Sequence, residues 1–211
     1  MLRVGSVLDA FCGLGGTRKG INSVAHVDRY VGVDNVKEIC EYQREEFGPT
    51  IVQSDAYNYI IAHHDEFEFV WASPPCKTHT MSTFFAKARG EERPKPDMRL
   101  WSLIKFFMKE RGTRPWVVEN VRPWYVPPIQ WNARVGRHCF WSNYPIRSIK
   151  KVAGPHLHKV GENELANWHG LKRLDIGERY ASRALIRNIV YYKVAAHVFK
   201  SAFVPRGRRR F

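Results

Sequence analysis

The run Phe69-Val70-Trp71-Ala72 stops on Ser73-Pro74-Pro75, and that stop constrains the chain more than any other stretch. Four consecutive apolar residues suit a short strand buried on both faces, as in a parallel sheet. Prolines cannot donate to a sheet ladder and they hold the preceding residue extended, so the strand ends there without collapsing into a helix. Cys76 follows and is thereby presented at the carboxyl end of a strand, the place where ligands bind in an open α/β sheet.

The flanking sequence repeats the theme. Residues 4–10 read as a first strand, 30–34 as a second, 50–53 as a third, 67–72 as the fourth and 116–120 as a fifth. Helical patterns fall between them, at about 17–24, 36–47, 56–62 and 100–109, with Val36, Ile39, Cys40 and Phe47 near helical spacing in the second. Strands alternating with helices imply βαβ units and an α/β fold with a mostly parallel sheet flanked by helices. Residues 137–141 read as a sixth strand. Residues 77–99 form a long basic loop, 144–176 are expected to be irregular or short β structure, and 178–201 regain helical periodicity with a break near 188–192. The stretch 206–211 is a basic tail.

Composition narrows the class. A chain of 211 residues suits one domain with a core of its own. No apolar run approaches the ~20 residues of a membrane span, so no membrane partner is expected. The opening residues run straight into a strand and read as no secretory signal. Cys12, Cys40, Cys76 and Cys139 lie far apart with no C-x-x-C pair, which fits neither a zinc knuckle nor a dense disulfide framework. Free thiols in a reducing, cytoplasmic compartment are the simpler reading. A net charge of +14, with aromatic residues interleaved, points to nucleic acid as the polyanionic partner.

Three constellations could carry chemistry. Gly13, Gly15 and Gly16 lie between a strand and a helix, where glycine permits a tight turn and a close ligand approach. Asp34 ends the next strand, where an acid can bind ribose hydroxyls, and Asp55 ends the third, placed to accept from an adenine amino group. The spacing departs from the dinucleotide fingerprint, so an adenosine cofactor without a pyrophosphate is favoured, and S-adenosylmethionine fits. The alternative is a tight βα turn with two helix-capping aspartates. Cys76 is a candidate nucleophile, with Lys77 and His79 as sources of nearby positive charge; the alternative is an inert core cysteine. Glu119 ends the fifth strand on the same edge and is a candidate general acid, the alternative being an exposed or helix-capping glutamate. The H-x-H at 156–158 has no cysteine near it, and no metal is expected.

These residues resemble the motifs of the DNA (cytosine-5) methyltransferases, in a compact form like those of phage and viral genomes. The matching stretches are V-L-D-A-F-C-G-L-G-G at 7–16, G-V-D at 32–34, Q-S-D-A at 53–56, S-P-P-C at 73–76, E-N-V at 119–121, R-H-C-F-W-S-N at 137–143 and I-R-N-I-V at 186–190, in the family's order. The resemblance implies a Rossmann-like S-adenosylmethionine-dependent methyltransferase fold. It implies a catalytic domain over 1–140, a small target-recognition segment over 141–180, and an element over 181–211 that returns to the catalytic domain. It implies that Cys76 attacks carbon 6 of a flipped cytosine, that Glu119 protonates ring nitrogen 3 and that Arg137 bonds the base oxygen. Phe11, Gly13, Gly15, Gly16, Asp34, Asp55, Pro74 and Asn188 would hold the cofactor. The loop 77–99, carrying Lys77, Ser82, Lys87 and Arg89, would close over the base, and these residues with Asn120 would contact the substrate. The implied partner is double-stranded DNA, bound by a monomer inside the cell; transfer RNA is the alternative substrate of one similar branch, and a catalytically silent nucleic-acid-binding relative is the alternative to an enzyme.

The chain also departs from the family's pattern. Lys77 stands where the family has glutamine, Asp34 where it has glutamate, and Arg187-Asn188-Ile189 where it has Gly-Asn-Ser. Ala133 and Val135 occupy the first two positions of the arginine motif, so only Arg137 is retained cleanly, with Arg134 as a substitute by a shift of register. The recognition segment is short, which predicts a short target sequence or loose specificity.

Overall fold

The computed structural model describes residues 1–86, 88, 90–147, 149, 161–171 and 183–203. Seven strands form one sheet: β1 (Leu2–Ala10), β2 (Ala25–Asp34), β3 (Ile51–Gln53), β4 (Phe69–Ala72), β5 (Trp116–Val121), β6 (Ala133–Val135) and β7 (His138–Ser142). Their order is β3-β2-β1-β4-β5-β7-β6. The first five are parallel; β7 runs antiparallel to β5, and β6 antiparallel to β7. The order reverses between β1 and β4, which is the switch point where open α/β sheets bind ligands. Register makes the point concrete. Ala10 pairs with Ala72 and Ala72 with Val118, so the next residues, Phe11, Ser73 and Glu119, emerge side by side at the carboxyl edge.

Period-two alternation divides each strand between two layers. Val70 and Ala72 of β4 and Trp116 and Val118 of β5 face a core with Ile60, Leu100, Ile104 and Phe107. These come from α3 (Ala56–His63) and α5 (Arg99–Glu110). In α5 the buried residues Leu100, Trp101, Leu103, Ile104 and Phe107 form one helical stripe. Burying each such side chain contributes about 1.5–3 kcal/mol. Phe69 and Trp71 of β4 and Val117 of β5 face the other core with Ile21, Val194, Val198 and Phe199. These come from α1 (Gly16–Asn22) and a long helix near the end of the chain (Tyr192–Phe203).

Between these lie α2 (Lys37–Phe47), the short α4 (Met81–Phe84), α6 (Glu162–His169) and α7 (Arg183–Asn188); Tyr192–Phe203 is then α8. The break expected near 188–192 is present between α7 and α8. Two expectations are corrected. The sixth strand is a hairpin of two, turning at Gly136-Arg137, with Gly136 at φ +59. Such a turn matches strand twist and accepts glycine at positive φ. The segment read as irregular or short β contains α6, where Leu165, Ala166 and His169 share a buried stripe and Gly170 closes the helix in the left-handed region. Among the described residues no helix is long and apolar enough to cross a membrane. The basic tail and His156 and His158 lie outside the described residues.

Candidate active site

The glycine turn forms one wall of the cleft. Leaving β1, Phe11 adopts φ +58, the only non-glycine residue with positive φ among those described. Such strain persists only where surroundings impose it; here Phe11 packs edge-on against Tyr57 with ring centroids 4.8 Å apart. Gln43 of α2 reaches under the turn, its Nε2 donating to the carbonyls of Gly13 at 2.7 Å and Cys12 at 3.3 Å. Gly13 has φ +48 and nothing within 4 Å of where a Cβ would stand, an open cradle of the kind a bound adenosine moiety can enter. Gly16 serves packing instead: a Cβ there would lie 2.3 Å from Ile189 Cγ2 and 2.5 Å from the Val190 carbonyl oxygen.

The opposite wall holds the thiol, the carboxyl and the guanidinium singled out in the sequence. Phe11, Gly13, Gly16, Pro74, Cys76, Glu119, Arg137, His138 and Asn188 line one cleft. Asn120 fixes the S-P-P-C stretch, its Nδ2 donating to the Pro74 carbonyl at 2.9 Å. Cys76 starts a helical turn, its carbonyl accepting from the N–H groups of His79 and Thr80. That turn is anchored by His79, which is buried and bonded to Tyr125 at 2.6 Å; Trp101 Nε1 donates to the same hydroxyl at 3.0 Å. The Cys76 thiol lies 3.9 Å from Asn188 Oδ1. Burial raises its pKa above the usual thiol value, the negative charge of Glu119 adds to the rise, and the Arg137 guanidinium opposes it. Burial in turn lowers the Arg137 pKa, while Cys76 and Glu119 support its charge. These shifts put Cys76, Glu119 and Arg137 within electrostatic reach of one another, although they come from three separate segments.

Not every expected site residue faces the cleft. Asp55 is exposed and caps α3, accepting from the Asn58 N–H at 2.9 Å. Asp34 is buried and holds two backbone donors, Gly13 N–H at 3.1 Å and Val36 N–H at 3.0 Å. Burial nevertheless raises its pKa. The Asp55 geometry is that of the capping alternative, whereas Asp34 ties the glycine turn to the start of the β2–α2 connection. Asn120 is 1 % exposed and turned to backbone, with Val121 N–H donating to its Oδ1, so it supports the cleft from behind and is corrected as a substrate contact. Lys77 is exposed on the turn beyond Cys76 and Ser82 is exposed on α4, both outside the cleft lining. Lys87 and Arg89 lie outside the described residues. Arg134 is exposed and its Nε donates to the Gly136 carbonyl, so it does not stand in for the missing arginine.

Sequence reasoning missed four contributors: Gln43, Gly20, the His79–Tyr125 anchor and His138. Gly20 carried a readable signal, since it stands one helical turn from Gly16, and a Cβ there would meet the Tyr192 carbonyl oxygen at 2.4 Å. His138 Nδ1 lies 2.6 Å from Glu119 Oε1, a pairing that only the register of β7 reveals. His169 of α6 sits nearby; burial lowers its pKa to about 4, with the charges of Arg137 and His138 acting in the same direction. Among the described residues no cluster of three metal-ligating side chains occurs.

No protein-family model matches the sequence, and no curated protein matches it. Solved structures do. The Entamoeba histolytica methyltransferase EhMeth superposes with a TM-score of 0.57 at 12% identity, over 95% of this chain and 98% of that one. The S. pombe Dnmt2 methyltransferase gives a TM-score of 0.42 at 16% identity, over 56% of this chain and 35% of its own, too slight a likeness to carry weight. The seven-stranded, mostly parallel sheet flanked by helices is therefore the Rossmann-like fold found in the Entamoeba methyltransferase.

Proposed function

We propose that this chain is an S-adenosylmethionine-dependent methyltransferase acting on carbon 5 of cytosine in double-stranded DNA. One observation carries the reading: Cys76, Glu119 and Arg137 line a single cleft whose other wall is the glycine turn. Phe11, Gly13 and Gly16 on that wall would hold the cofactor, and the open space at Gly13 suits it. Bound S-adenosylmethionine supplies an electrophilic methyl group. The protein's own part is to make cytosine nucleophilic. The Cys76 thiolate bonds to ring carbon 6 while Glu119 gives a proton to ring nitrogen 3, so the ring does not accumulate negative charge. Arg137 donates to the base oxygen and stabilises the adduct electrostatically. Once carbon 5 is substituted, transfer of its proton to solvent water reforms the ring double bond and expels Cys76 as the thiolate, and the proton on nitrogen 3 returns to Glu119.

A base must leave the duplex to reach such a cleft. The net charge of +14 supports a phosphate backbone as the surface from which it comes. The compact phage- or virus-like form rests on the short segment at 141–180 alone. Transfer of radiolabelled methyl groups to duplex DNA and to transfer RNA, with Cys76→Ala as control, tests the proposal. Label on DNA that vanishes in the variant is expected. Label on transfer RNA alone shifts the substrate, and label on neither, with nucleic-acid binding intact, removes the enzyme reading.

A further inference from the structure

Glu119 is held on one side only. His138 Nδ1 lies 2.6 Å from its Oε1, whereas no described residue is hydrogen-bonded to Oε2, and both side chains line the cleft. The pairing follows from sheet geometry. Glu119 on β5 pairs in register with Phe140, and Val121 with His138, so Glu119 and His138 are diagonal neighbours on one face of an antiparallel pair. The hairpin turn at Gly136-Arg137 delivers Arg137 and His138 to the cleft together.

We infer that His138 is the positioning residue for Glu119: its Nδ1–H holds Oε1 and so turns Oε2 toward the base. A glutamate's terminal torsion is broad, and a free carboxyl would swing between orientations. Held at one oxygen, it presents the other in a fixed direction and has a donor ready to stabilise the carboxylate left when nitrogen 3 takes the proton. His138 itself touches neither the reacting carbons nor the proton in transit. The inference rests on the cytosine reading above for its catalytic meaning, but the His138–Glu119 bond stands independently of it.

The experiment uses the full chain. His138→Ala is expected to lower kcat for methyl transfer to duplex DNA about 10- to 100-fold, the scale of a misplaced catalytic group, with little change in KM. His138→Asn places an amide N–H where Nδ1 stood and is expected to recover most of that loss. A purely packing role would not give this split between the two variants. Nitrogen-15 NMR of the wild type, without substrate, is expected to show His138 protonated at Nδ1, a preference lost in Glu119→Ala. A rate for His138→Ala equal to wild type, or His138→Asn as slow as His138→Ala, overturns the inference. If the wild type labels neither DNA nor transfer RNA, the functional reading fails on its own, and the NMR result alone decides the pairing, with an Nε2–H tautomer overturning it.

Discussion

Asp9 and Glu119 are buried carboxylates on the same face of the sheet, yet their surroundings treat them differently. Asp9, on β1 beneath the glycine turn, is 1 % exposed and accepts from the Tyr30 hydroxyl at 2.7 Å; among the described residues its Oδ1 has no hydrogen-bond partner. Burial raises its pKa to about 7, with the Tyr30 hydrogen bond and Arg18 only partly opposing the rise. Glu119 is nearly as buried, at 5 %, but opens on the cleft beside Arg137 and Cys76. The comparison teaches that burial alone does not make a carboxyl a reagent. The Asp9 side is a packed wall in which an acid burdens stability as it ionises. The Glu119 side is a corner where the same kind of group meets a thiol, a cation and open space.

If the corner is the reactive region, its loss should dwarf any change in the wall. Cys76→Ala is expected to reduce methyl transfer by about 10⁴-fold or more while leaving the thermal melt nearly unchanged. Equal activity in the variant would erase the contrast outright. Glu119→Gln is expected next, with a loss of about 10²- to 10⁴-fold. Because the Glu119 charge helps to raise the Cys76 pKa, removing it should move the thiol's alkylation by iodoacetamide to lower pH. A shift the other way would mean that the two groups do not sense each other.

The wall should answer in stability rather than in chemistry. The folded-state pKa of Asp9 is raised from 3.8 to about 7, so its contribution is fully present below about pH 4 and is lost as pH rises through about 7. Three pKa units correspond to at most about 4 kcal/mol. Asp9→Asn should therefore flatten the pH dependence of denaturant unfolding between pH 4 and 8; parallel profiles for the two proteins would show that Asp9 does not titrate in this window. The smallest effect is expected from Gly20→Ala. Its Cβ would meet the Tyr192 carbonyl oxygen at 2.4 Å and Ala195 Cβ at 2.7 Å, a close fit whose disturbance costs about 1–3 kcal/mol. At roughly 2–4 °C per kcal/mol the melt should fall visibly, with Cys76 alkylation unaffected.

The parallel half of the sheet was legible because each strand is an apolar run ended by glycine, proline or acid, and those ends are also where Cys76 and Glu119 emerge. The β6–β7 hairpin was not. Arg137 occupies the turn rather than a strand, and β6 is only three residues, an exposed Arg134 between half-buried Ala133 and Val135, with little pattern to read. Without the register of β7 on β5 nothing in the sequence connects His138 to Glu119. Asp34 and Asp55 show a different limit: an acid at the end of a strand can also cap the next helix, as Asp55 does, or hold backbone of the adjoining turn, as Asp34 does, and residue type does not separate these roles. The spacing of Gly16 and Gly20 was readable but what they pack against was not, since their partners lie far along the chain.

That distance has a consequence for how the protein is made. The small-residue face of α1 is covered by Ile189, Val190, Tyr192 and Ala195, and Phe69 packs on Phe199 with ring centroids 4.8 Å apart. All of these covering residues are translated long after β1 and α1. At about 5–20 residues per second, a nascent chain would carry that uncovered face for roughly 10–30 s. One layer of the sheet is thus finished by a helix made long after the strands that it covers. Premature termination before α8 would release a chain in which Phe69 lacks its Phe199 neighbour and this layer is incompletely covered, a species for chaperones or proteases.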